Sequence, residues 1–184
     1  MKSLFGLIMA GIAIFKDNRR LPVSKLSIFL LYLKLTLRHK FFPKKKNITV
    51  NIFGFQVRSF SYKTIKFLFY ELYIKKEYFI KIDAANPLIV DCGANIGMAT
   101  LFFKLLYPKA SFICIEPNSD TFNLLSENMQ HNNIENVTLV NSALMDYDGT
   151  IKFYYSTEQT GSLMMSAFSE RMNQAWEEVN CRKL

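Results

Sequence analysis

Two apolar runs open the chain, residues 4–15 without a charge and residues 26–37 broken only by Ser27, Lys34 and Thr36. Each holds 12 residues, fewer than the roughly 17–25 a spanning helix needs. Both read as short helices, the second capped by Ser24. Residues 47–58 change to alternation with β-branched residues on either side of Phe53-Gly54, the pattern of a hairpin. Helical spacing returns over residues 61–74, where Ile65, Leu68, Phe69 and Leu72 share one face. Three short apolar runs then alternate with two helical segments: strands at 88–90, 111–116 and 137–140, helices at 98–106 and 119–131. The helix at 98–106 is apolar nearly all round, which predicts burial against a sheet. Asn118 or Ser119 caps the other, with Asp120 in its first turn and Phe122, Leu125 and Met129 on one face. Strands alternating with helices specify an α/β fold with a parallel sheet. Further on, residues 146–149 read as a turn, 150–155 as a strand, 161–168 as irregular, and 169–179, with Trp176, as a short helix.

The candidate chemistry lies between the first strand and its helix. Leu88-Ile-Val-Asp-Cys-Gly-Ala-Asn-Ile-Gly97 runs from a strand through an acid into a glycine turn, the first half of a nucleotide-binding βαβ unit. Glycine accepts positive φ and lets a ligand approach the backbone. Glu116, at the end of the second strand, lies 23 residues after Gly93, about where a carboxylate takes ribose hydroxyls. A dinucleotide site wants Gly-x-Gly-x-x-Gly, and here Asn95 replaces the glycine that would touch a pyrophosphate. Asp91 would also repel a pyrophosphate but suits an ammonium. S-adenosylmethionine has a ribose, no phosphate and an ammonium, so both departures point to it. An NAD-dependent oxidoreductase is the reading these two residues argue against.

The sequence resembles the FkbM family of S-adenosylmethionine-dependent methyltransferases over residues 51–155. The matching residues are Val90-Asp-Cys-Gly-Ala-Asn-Ile-Gly97, Ile115-Glu-Pro117, Asn141-Ser-Ala-Leu and Asp148-Gly149, with Phe69-Tyr-Glu-Leu-Tyr73 and Tyr78 upstream. The resemblance implies a Rossmann-like methyltransferase three-layer sandwich, here with a helical N-terminal extension. It implies O-methylation of a hydroxyl acceptor, such as a sugar of a surface polysaccharide. Cofactor contacts are expected from Asp91, Gly93, Asn95, Gly97 and Glu116, with Asn141 near the adenine or ribose. It also places Glu71 and Tyr78 over the cofactor; a salt bridge and a packed ring are the other reading of those two. No residue is singled out as a catalytic base. In the family a further strand with a Lys-x-Asp-x-Glu-Gly-like motif, then more helices and strands, should follow. By that resemblance the fold is expected to be incomplete at the C-terminus, and the chain a truncated product or a fragment. A non-catalytic remnant that keeps only the cofactor half is therefore the alternative function.

Composition changes the picture at the other end. Hydrophobic residues make 50% of the chain and aromatics 15%, which excludes a disordered protein. The formal charge of +8 is uneven, with +13 in residues 1–86 and −5 in residues 87–184. This divides the chain into a basic, apolar extension (1–46), a hairpin and helix (47–86) and a partial methyltransferase domain (87–184). Short apolar helices among basic residues suit an anionic membrane surface. Packing of both helices onto the domain, or dimerisation through them, is equally open. No small-x-small cleavage site follows the first run, and no nucleic-acid motif accompanies Lys44-Lys-Lys46. Cys92, Cys114 and Cys181 lack metal spacing and read as free thiols in a reducing compartment. His39 and His131 lack a local ligand pattern, so no metal is expected. The expected location is cytoplasmic, peripheral at the inner face of the membrane.

Overall fold

The computed structural model describes residues 2–155 and 175–183. The irregular stretch expected at 161–168 lies outside them, as does the start of the helix expected at 169–179.

Helix α1 (Lys2–Lys16) and helix α2 (Lys25–Phe41) form a hairpin. Ser24 caps α2 by accepting the Ser27 N–H at 3.0 Å, and Lys25 Nζ donates to the Phe15 carbonyl at 2.8 Å. Strands β1 (Lys46–Ile52) and β2 (Phe55–Ser61) pair antiparallel, with Ile52 opposite Phe55. The two-residue loop between them has φ of 50° at Phe53 and 98° at Gly54, the sign pattern of a hairpin turn matched to strand twist.

Ser61 then caps helix α3 (Tyr62–Phe69). The single helix expected over 61–74 is corrected here: α3 widens into a π-helix at Tyr70–Lys75. Leu72, Tyr73 and Ile74 are all buried in succession, which the narrow stripe of a 3.6-residue helix does not provide. Arg19 caps the end of this π-helix, donating to the carbonyls of Lys76 at 2.8 Å and Lys75 at 2.7 Å. Lys76, 4% exposed, lies 3.5 Å from the Asp17 carboxylate. Burial opposes ionisation of Asp17, but Arg19 and Lys76 outweigh it and hold its carboxyl at about 2.

Strands β3 (Leu88–Cys92), β4 (Ser111–Ile115) and β5 (Val137–Val140) form a parallel sheet in that order. Helix α4 (Met98–Leu106) and helix α5 (Ser119–His131) are the crossovers, giving the βαβαβ unit of a Rossmann-like α/β fold. The apolar run 88–90 suggests a strand buried on both faces, and the structure corrects this. Leu88 is 62% and Val90 46% exposed, whereas Ile89 packs on the core. The strand is half-buried because the described residues cover only one of its faces.

Strands β6 (Ala143–Met145), β7 (Gly149–Tyr155) and β8 (Ala175–Lys183) make a second sheet in the order β6-β8-β7. The helix expected through residue 179 is corrected to a strand over its described part. Val179 and Cys181 alternate with exposed neighbours, and β8 pairs with β7 from Gly149–Cys181 to Tyr155–Ala175. Glu177 and Glu178 favour a helix on propensity, but ladder pairing and the buried side chains override it. Trp176, half exposed, carries Lys152 Nζ 4.5 Å from its ring centroid. Cys114 and Cys181 are buried and Cys92 is exposed, all three as free thiols.

Tyr73 sits at the centre of the main core, its ring 4.7 Å from Phe69, 5.2 Å from Phe53 and 5.2 Å from Phe102. It is 1% exposed, and its hydroxyl has no hydrogen-bond partner among the described residues. An unsatisfied buried hydroxyl costs about 1–3 kcal/mol. Tyr73→Phe should therefore raise stability by roughly 1 kcal/mol, read as a higher urea midpoint; a fall would mean that the hydroxyl is satisfied in solution.

Candidate functional site

The turn after β3 is held to the end of β4 by backbone. Gly93 and Ala94 N–H both donate to the Ile115 carbonyl, at 2.8 and 2.9 Å, and Gly97 N–H closes the turn on Ala94 at 2.9 Å. The geometry needs φ of 84° at Gly93, 49° at Asn95 and 85° at Gly97. Asn95 tolerates this left-handed conformation, and its Oδ1 accepts the Ile96 N–H at 2.9 Å. The two glycines differ in what surrounds them. A Cβ at Gly97 would stand 2.5 Å from Met129 Cε and 2.8 Å from Leu125 Cδ1, so Gly97 serves the packing of α4 on α5. A Cβ at Gly93 would meet nothing within 4 Å, and this open side belongs to a cavity.

The cavity has a volume of about 220 Å³. Asp91, Gly93, Ala94, Asn95 and Met98 line one side; Leu68, Glu71, Leu72, Glu77 and Tyr78 line the other. Among the described residues, three carboxylates and no lysine or arginine line it; Lys75, outside the lining, pairs with Glu71 at 3.1 Å and with Glu77 at 3.0 Å. Asp91 is held by Thr100 Oγ1, which donates at 3.2 Å; burial nonetheless pushes its carboxyl above the usual range. Thr100 also touches Cys114 Sγ at 3.1 Å, and burial lifts that thiol to about 11. Burial and the neighbouring Glu77 likewise raise Glu71, against the pull of Lys75 at 3.1 Å.

Glu116 lies just behind the turn, 5% exposed. One of its oxygens accepts the Asn95 N–H at 2.9 Å and the other the Asn118 N–H at 3.1 Å. It thus clamps the β3–α4 turn to the start of α5. Burial raises it to about 7, with Asp91 and Glu177 adding repulsion and the two N–H groups opposing. Glu177 of β8 accepts from the Asn118 side chain and from the Ser119 N–H at 3.3 Å, next to that clamp. Asn141 Nδ2 donates to the Glu116 carbonyl at 2.8 Å and the Pro117 carbonyl at 3.1 Å, fixing the loop after β4.

The structure therefore brings Asp91, Gly93 and Asn95 to one cavity together with Glu71 and Tyr78. It places Gly97, Glu116 and Asn141 in the frame that shapes the turn. Sequence reasoning assigned Leu68 and Leu72 to a buried face but missed that, with Phe67 and Met98, they form the apolar wall of the cavity. A signal was present: Phe67 and Glu71 recur at four-residue spacing beside the face that holds Leu68 and Leu72.

No protein-family model matches the chain. It is similar to Methyltransferase 1 of Beauveria bassiana (strain ARSEF 2860), 29% identical over 110 residues, which is 60% of this chain and 44% of that protein. It is also similar to Methyltransferase sdnD of Sordaria araneosa, 31% identical over 115 residues, 62% of this chain and 44% of that protein. The chain thus spans less than half the length of the curated relatives it matches. Among solved structures, the methyltransferase FkbM of Methylobacillus flagellatus KT is similar with a TM-score of 0.38 and 9% identity, over 82% of this chain and 35% of that one. A likeness of that size carries no argument about function.

Proposed function

We propose that this chain binds S-adenosylmethionine at the β3–α4 turn and serves methyl transfer to a hydroxyl acceptor, a sugar hydroxyl in the FkbM resemblance. The observation that carries the reading is the acidic cavity beside Gly93: Lys75 pairs with Glu71 and Glu77, while Asp91 has no cationic partner among the described residues and no lysine or arginine is among the lining. Such a lining repels a pyrophosphate and favours an ammonium, which is what separates this cofactor from a nicotinamide dinucleotide. The methyltransferase names of the two curated relatives support the same reading.

The residues fit the group. About 220 Å³ lies below the ~300–1,000 Å³ of a whole small-molecule site, and suits the amino-acid end of the ligand. Asp91 takes the ammonium there, and the open side of Gly93 admits the ligand against the backbone. Glu116 still has acceptor capacity, since a carboxylate offers about four lone-pair sites and two are used; ribose hydroxyls complete it. When bound, the cofactor supplies an already activated methyl group. What the protein adds is alignment, which can contribute about 7–11 kcal/mol of a barrier.

Calorimetry with S-adenosylmethionine and with NAD tests this. The first should bind and the second should not; binding of NAD alone overturns the reading. Asp91 and Glu116 hold the ligand most strongly when ionised, as a charge for the ammonium and as a charge-assisted acceptor for the ribose, and both sit above their ordinary values, Glu116 at about 7. Affinity should therefore rise roughly tenfold between pH 6 and pH 8, as the ionised fraction of a group at about 7 does over that interval. A flat profile would remove Glu116 from the ligand.

A further inference from the structure

The helical hairpin has two sides. Ala10 and Ile14 of α1, with Ile28, Tyr32 and Leu35 of α2, are buried in the main core, where Tyr32 stacks on Phe69 of α3 at 6.4 Å. On the opposite side of α1, Phe5, Ile8, Ile12 and Phe15 are 67, 54, 43 and 55% exposed. Their spacing of three or four residues makes one continuous apolar stripe. Leu26, Leu30, Leu37 and Phe41 form the matching stripe on α2, 43–66% exposed. Since each helix buries its other face, both stripes point away from the domain. An exposed row of large apolar side chains along a helix, as opposed to scattered single ones, marks an interaction surface.

The charges around these stripes select the partner. Exposed Lys34 and Arg38 follow the α2 stripe, Lys16 and Arg20 flank the end of α1, and Lys44 and Lys45 lie beyond the end of α2. Residues 1–46 hold eleven Lys and Arg against one acid, Asp17, which Arg19 and Lys76 already neutralise. A second copy of this chain would bring one basic face against another. An anionic surface with an apolar interior satisfies both the stripe and its rim. No helix of the described residues is long and apolar enough to cross a membrane, so the geometry is that of lying in the interface.

We propose that the outer face of the α1–α2 hairpin docks the protein onto an anionic lipid bilayer, apolar stripes inserted and basic rim on the headgroups. This is independent of what the β3–α4 turn binds. The full chain should float with vesicles of mixed phosphatidylcholine and phosphatidylglycerol. It should bind pure phosphatidylcholine vesicles on the order of tenfold more weakly, and lose the difference in 0.5 M salt. Ile8→Glu with Leu30→Glu changes only exposed positions, so the fold should hold by circular dichroism while flotation is lost. Lys34→Glu with Arg38→Glu should weaken binding to the anionic vesicles alone. The proposal is overturned if the folded full chain stays unbound with anionic vesicles, if both lipid types bind it equally, or if light scattering shows a dimer that Ile8→Glu with Leu30→Glu dissociates without any vesicle binding.

Discussion

Gly93→Val is expected to abolish S-adenosylmethionine binding, by at least about 100-fold, with the protein still folded. Gly93 stands at φ 84° with open space where a Cβ would go, and that space is part of the cavity. Valine fails there twice. A β-branched residue in the left-handed region costs on the order of 1–3 kcal/mol, and its methyl groups fill the side from which the ligand approaches the backbone. The strain lowers stability in free and bound protein alike, so the affinity loss comes from the methyl groups that occupy the ligand's space; about 2.7 kcal/mol corresponds to 100-fold. Gly97→Ala is the informative control. Its Cβ would press on Met129 and Leu125, so stability should fall more than affinity. Calorimetry on both variants, with thermal melts, separates the two effects; unchanged affinity in Gly93→Val would remove the turn from the binding site.

Glu116→Ala should lower both stability and affinity. The substitution strands two backbone N–H groups, those of Asn95 and Asn118, at about 1–3 kcal/mol each when buried. A loss of roughly 2–6 kcal/mol is expected. Affinity should fall at least about tenfold, because a hydrogen bond to a charged group contributes about 1.5–3 kcal/mol. The pH dependence carries the signature. The native carboxyl lies at about 7, against an ordinary 4.5, so the folded protein binds the extra proton between those values. Stability from this group is fully present below about pH 4.5 and lost as pH rises through 7, on the order of 3 kcal/mol in all. In Glu116→Ala that decline should disappear. Urea midpoints at pH 5 and pH 8 for both proteins measure it; a parallel decline in the variant would assign the titration to another group.

The residues that make the parallel unit declare themselves locally. Apolar runs of strand length, the Gly93–Gly97 turn, the Asn118 cap and the aromatic-rich α4 each depend on neighbours within a few positions, so periodicity and turn chemistry reveal them. Asp91 and Asn95 were legible for the same reason, since a departure from the glycine pattern is visible at fixed spacing. The division of labour between Gly93 and Gly97 was not. Both are glycines at similar φ, and only the position of α5, whose Leu125 and Met129 arrive from about thirty residues away, makes one a packing residue and leaves the other open.

Long-range pairing decided the remainder. The segment containing Trp176 looked helical because Glu177 and Glu178 favour helix, yet β6 and β7 supply partners on both of its edges. The π-helix at Tyr70–Lys75 likewise answers to the core that receives Tyr73. The hydrophobic pattern located α1 and α2 and marked them as too short to span. It could not divide their apolar surface, because nearly every face of α1 is apolar and the same letters serve core and outer stripe alike. Packing of α1 on the π-helix and of α2 on α3 assigns Ala10, Ile14 and Tyr32 to the interior and leaves Ile8 and Leu30 outside. The sequence by itself determined which segments exist and which atoms they offer; the tertiary structure decided which of those atoms face a core, a cavity or open surroundings, because burial is a property of what lies opposite and not of the residue itself.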